Sequence, residues 1–160
     1  MKAVDIVNAV ESSEVFQLWA LEHKGFFLSH IFVMLESSDE FQLGYYFDDR
    51  MHSFLLERGV VTSLSHDEIL KTEHEIIPLD VNEVVLDMDD AVNIAREQLV
   101  LQYPREAPIK TFFIVQTLQI GTVFNFTYFC QSFKTVNFKI STIDGKILHH
   151  SCDPLIGQMK

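Results

Sequence analysis

The chain has 160 residues, 48% of them hydrophobic, with 14 Phe, 4 Tyr and 1 Trp, enough apolar content for a packed core and too much for a disordered chain. Its 12 Lys+Arg stand against 23 Asp+Glu, a formal charge of -11, which argues against a general nucleic-acid binder with a basic footprint. The charge is uneven: residues 1–90 hold 19 acids and 5 bases (-14), and residues 91–160 hold 4 acids and 7 bases (+3).

Ala3, Val4, Ile6, Val7 and Val10 fall at helical spacing, and Val15, Phe16, Leu18, Trp19 and Leu21 resume it after Glu11, Ser12 and Ser13. The spacing predicts one broken helix or two short ones over 3–23, with Gly25 as the stop. A strand pattern runs from Phe26 to Glu36, and Ser37, Ser38 and Asp39 form the turn. Phe41, Leu43, Tyr45 and Phe47 then alternate with Gln42, Gly44, Tyr46 and Asp48, the mark of a half-buried strand. Asp48, Asp49 and Arg50 are turn material. Met51 to Glu57 reads as a third strand, closed by Arg58-Gly59.

Residues 60–88 have no firm period. Ser65, His66, Asp67 and Glu68 open a short helix through Leu70 and Lys71 in one reading. Pro78 stops any helix there, and Val84 to Leu86 reads as a short strand. Nine acids against Lys71 alone over 67–90 suggest a solvated connector. The expected organisation is therefore 1–62, an acidic connector over 63–88, and 89–160.

Asp89 or Asp90 is expected to cap the next helix, whose apolar side is Ala91, Val92, Ile94, Ala95, Leu99 and Val100-Leu101. Tyr103-Pro104 ends it. Two β-rich runs follow Pro108, divided at Gly121. Phe112, Ile114, Leu118 and Ile120 share one parity in the first, and Phe124, Phe126, Tyr128 and Cys130 share one in the second. A third run sets Val136, Phe138 and Ile140 against Thr135, Asn137 and Lys139. Asp144-Gly145 is a hairpin signal, with Ile147 to His150 as the return strand. The predicted fold class is α+β: two units of about 70 residues, each a helix and an antiparallel β-meander, packed together.

The leading helix Ala91 to Leu101, with Ala91 and Ala95 four apart, and the close Val136-Asn137-Phe138-Lys139-Ile140 with Ile143-Asp144-Gly145-Lys146-Ile147, carry a resemblance. Residues 88–150 resemble a PepSY-type domain. The first half is similar in layout only, since Asp48, Asp49, Arg50 and Met51 lack the glycine. The resemblance implies a PepSY-like, cystatin-like layout and, from the shared order of elements, a tandem of two such units. It also implies a non-catalytic module with an inhibitory or binding role. Such domains are often extracytoplasmic and attached to peptidases or membrane proteins. Here no signal-peptide pattern or apolar run of roughly 20 residues is read, so a cytoplasmic protein without a membrane partner is expected.

Candidate chemistry is sparse. His149, His150 and Cys152 are the densest set of metal-ligand types. On a strand, though, His149 and His150 face opposite ways, and only His150 and Cys152 share a side. No metal or cofactor is expected. His66-Asp67-Glu68 lacks the second His of a zinc-protease helix, and His74 supplies none at that spacing. Asp87, Asp89 and Asp90 lack the glycine and later Glu of a calcium loop. Asp48 and Asp49 suit a turn better than acid/base work. Cys130 ends an apolar strand as a buried thiol, and two Cys are too few for a disulfide scaffold. No phosphate loop or nucleophile elbow is present.

Phe113 and Phe129 lie opposite in parity to their strands' main apolar sets, so they are expected to face outward, and apolar residues on both faces suggest a sheet covered on both sides or an interface. The leading expectation is a non-enzymatic binding or protein-interaction module whose partner is another protein or a second copy. The rival is a small-ligand protein or enzyme with a cavity between helix and curved sheet, using His30, His52 or Asn125 as its polar groups.

Overall fold

The computed structural model describes residues 1–37, 39–64, 68–69 and 75–155, residues 68–69 by their backbone alone. Ser38, Ser65, His66, Asp67, Leu70, Lys71 and His74, named above, lie outside the described residues.

The N-terminal apolar pattern folds as two short helices. In α1 (Ala3–Glu11), Ala3, Ile6, Val7 and Val10 are buried, one stripe at helical spacing. The break falls at Ser13, whose extended backbone makes it the N-cap of α2 (Glu14–Glu22). Its Oγ accepts from Phe16 N at 3.2 Å and donates to Val10 O at 2.6 Å, so one hydroxyl ends the first helix and starts the second.

Four consecutive strands follow: β1 (Phe27–Met34), β2 (Glu40–Phe47), β3 (Arg50–Glu57) and β4 (Val60–Ser63). Each pairs antiparallel with its predecessor. Phe47 pairs Arg50 across a two-residue turn in which Asp48 and Asp49 both have positive φ, 49° and 58°. This mirror-image turn matches the twist of the flanking strands, and Asp tolerates it better than most residues. The strand at 60–63 has no counterpart in the sequence reading. Glu68–Ile69, expected in a helix, form β5 instead, a short strand beside Arg50 and Met51 of β3.

Val84 to Leu86 does not form the expected strand. A 3-10 turn (Val81–Glu83) precedes it, and the Val85 and Leu86 amides both donate to Thr142 O, at 3.1 and 2.9 Å. A single carbonyl serves both amides, so no ladder can start. The fully buried Thr142 hydroxyl donates back to Glu83 O at 2.9 Å.

Helix α3 spans Met88–Gln102. Its cap is Asp87, which accepts from Asp89 N at 2.8 Å, rather than Asp89 or Asp90. The helix starts earlier than expected because Met88 is buried and extends the stripe Met88, Ala91, Ala95, Leu99 by one turn. The meander β6 (Pro108–Leu118), β7 (Gly121–Cys130), β8 (Lys134–Ser141) and β9 (Ile147–Pro154) follows.

The strands form one antiparallel sheet in the order β4-β3-β2-β1-β6-β7-β8-β9, with β5 beside β3. The two meanders meet through their leading strands: Ile31 pairs Val115, and Val33 pairs Phe113. The three helices α1, α2 and α3 lie on one face, over a single core running from Phe54 and Tyr45 across Ile31 and Val115 to Phe124, Phe138 and Ile140. The fold is mixed α+β.

Phe113 is part of that core, 1% exposed, and does not face outward. Phe112 and Ile114 occupy the other face. Both parities of β6 are apolar, so alternation within the strand does not select the buried one. The pairing with Val33 and Ile31 does.

Candidate functional site

Among the described residues, no helix covers the opposite face of the sheet. The register aligns one residue from each of seven strands there: Leu55, Gln42, Phe32, Ile114, Asn125, Lys139 and His149. The row beside it holds Met34, Phe112, Thr127 and Asn137. Phe32 and Phe112 touch, with ring centroids 5.4 Å apart. The face is therefore apolar where the meanders meet, at Phe32, Met34, Phe112 and Ile114, and Leu55 adds to it from β3 across Gln42; all five apolar side chains are half-buried.

Polar groups flank this apolar region on both sides. On the β7–β8 side, Lys139 Nζ donates to Asn137 Oδ1 at 2.8 Å, and Asn137 Nδ2 donates to Asn125 Oδ1 at 2.7 Å and Phe126 O at 2.9 Å. These bonds hold the amides as a fixed ladder. On the β1–β2 side the His30 ring lies flat over Gly44. A Cβ added at Gly44 would sit 2.3 Å from His30 Cε1, so the ring's position requires the glycine. Phe129 is on this same face, half-buried in register with Lys110 and Thr135.

His30, His52 and Asn125 do not converge on one cavity. His30 and Asn125 stand on the uncovered face. His52 is on the helix side, stacked on Trp19 at 5.0 Å with its Nε2 2.7 Å from Ser63 Oγ. Trp19 is itself stacked on His23 at 4.5 Å. These rings pack with Phe16, Phe26 and Phe54 beneath α2.

His149 and His150 point to opposite faces, as alternation requires. His149 pairs Lys139 on the uncovered side, and His150 pairs Phe138 on the helix side. Tyr103 Oη lies 2.7 Å from His150 Nδ1. Cys152 pairs Val136, and burial raises its thiol pKa. Burial, then the Glu106 carboxylate, pushes the Cys130 thiol up to about 11. Neither thiol is poised as a nucleophile. Among the described residues, no three His, Cys, Asp or Glu side chains gather closely enough to hold a metal ion.

The sequence reading missed Phe32, Met34 and the Phe112–Ile114 pair as a surface. Their signal was present: residues 31–34 and 112–115 are apolar at both parities, as a strand needs when both of its faces are used.

No family model matches the chain, and no curated protein matches it in sequence. Its fold is similar to the crystal structure of a "putative lipoprotein" from Clostridium difficile 630, with a TM-score of 0.56 and 12% sequence identity. That likeness covers 86% of this chain and 89% of the other. At such an identity it is a likeness of fold. No described helix of this chain is long and apolar enough to cross a membrane.

Proposed function

We propose that the chain is a non-enzymatic protein-interaction module, built as two PepSY-like helix-plus-meander units side by side, that binds its partner on the uncovered sheet face. The observation that carries this is the apolar centre of that face, Phe32, Met34, Phe112 and Ile114 with Leu55 added across Gln42, set between the Asn125–Asn137–Lys139 ladder and His30. An apolar centre with a polar rim is the usual anatomy of a protein interface. The side chains also come from both meanders, so the surface exists only where the two units meet. The partner is another protein or a second copy of this chain.

The double variant Phe32→Asp/Phe112→Asp tests it. Light scattering on a sizing column and affinity capture should show an oligomer or a stable complex for the wild type, lost in the variant, with circular dichroism unchanged. A wild-type chain that stays monomeric and captures nothing would refute the reading.

A further inference from the structure

A second surface lies on the helix side, where the end of β1 and the start of β2 approach α1 and α3. Two cavities of about 310 and 320 Å³ adjoin there and share Met1, Asp39 and Phe41. Val33, Phe113 and Val92 wall the first, and Ile6, Ala9 and Leu56 wall the second. Each volume suits one large apolar side chain, and together they fall in the range of ligand sites. Asp39 stands at both cavities, with Glu40 and Asp89 at the first and Asp5 at the second. The Met1 ammonium engages Asp89 at 2.9 Å. Against the remaining carboxylates, Asp5, Asp39 and Glu40, Arg58 is the one basic side chain lining either cavity among the described residues.

We propose that this cleft binds a cationic, apolar peptide segment of a partner protein. Two apolar side chains fill the adjoining cavities, and Lys or Arg residues between them lie over Asp39, Glu40 and Asp5. The paired chambers favour successive side chains of a peptide over one compact ligand. The excess of carboxylates sets the sign of the segment's charge, and the -14 of residues 1–90 attracts it from a distance. Met34 and Glu40 border both this cleft and the uncovered sheet face, but Phe32 and Phe112 line neither cavity, so the two readings are tested apart.

The test is fluorescence anisotropy with three labelled peptides of equal length, composed of Leu and Lys, Ser and Lys, or Leu and Glu. The Leu/Lys peptide should bind about tenfold more tightly than either of the others, a difference of about 1.4 kcal/mol. Its affinity should fall with added salt. Ala9→Trp, which fills one chamber, and the surface pair Asp39→Asn/Glu40→Gln should each weaken it by about tenfold. Phe32→Asp/Phe112→Asp should leave it unchanged. Equal binding of the Leu/Lys and Ser/Lys peptides would overturn the proposal, because attraction to the acidic surface would then suffice. Undiminished binding by the surface pair, which replaces exposed or half-exposed carboxylates and does not disturb the core, would overturn it as well. Loss of binding in the sheet-face variant would also do so.

Discussion

Tyr45 shows what burial does to one side chain of this core. It is fully buried, and its hydroxyl donates to Glu11 Oε2 at 2.8 Å. Burial first, and the Glu11 carboxylate second, hold the phenol protonated far above its ordinary range. Burial likewise pushes Tyr128 up to about 12, against a smaller opposing pull from Arg96, and Cys130 up to about 11. The three shifts share a sign. In the unfolded chain these groups ionise at their ordinary values, near 9 for the thiol and 10 for the phenols. Their contribution to stability is therefore complete below about pH 9 and is lost as pH rises toward the folded values. Urea midpoints should hold from neutrality to about pH 8 and then decline, with Cys130→Ala removing the earliest part of the decline relative to its own neutral value. A midpoint unchanged up to about pH 11 would contradict this account.

At the scale of elements, legibility depended on whether one strand or helix carried its own answer. The β8 run did: Val136, Phe138 and Ile140 are buried, while Thr135, Asn137 and Lys139 lie on the other face. The Ser13 break was visible as a serine pair between two apolar periods. Helix α3 was visible in its stripe but not in its cap. Asp87, Asp89 and Asp90 are chemically equivalent candidates, and the choice between them rests on whether Met88 has a place in the core. Replacing Asp87 with Ala should cost about 1 kcal/mol of stability, while Asp90→Ala should cost a few tenths at most. Thermal melts of the two variants separate these outcomes, and equal losses would return the cap to the later position. In β6, Phe112, Phe113, Ile114 and Val115 offer no parity to choose by. Only the antiparallel partner strand, about 80 residues earlier in the chain, settles which of them face the helices.

The whole molecule is governed by that pairing. Ile31 and Val115 are fully exposed to neither solvent nor loop: both are completely buried where the two meanders join. A core continuous across the join should unfold as one cooperative unit. Calorimetry should give a single transition, and Ile31→Ala should cost about 3 kcal/mol while keeping it single. Two resolved transitions would show that the halves melt independently. The join also explains why the uncovered face was hard to foresee. The sequence marks two helix-plus-meander halves, but the apolar centre is assembled from β1 and β6, with β3 adding to it, and no stretch of chain contains it. Phe129 was placed on its face correctly by parity, whereas Phe113 was not, because parity in β6 needed information from the other half.

The same topology has a consequence for the order of folding. Within each meander every strand pairs with the one before it, so those contacts close only short loops and form quickly. Pairing β1 with β6 brings Val33 to Phe113, 80 positions along the chain, and closes a long loop before any contact across it is made. The two hairpin stacks thus have the means to assemble locally, while the join between them waits on a slower search. Until it closes, β1 and β6 each present an unpaired edge, apolar on both faces, so the strands central to the finished protein are its most exposed ones during synthesis.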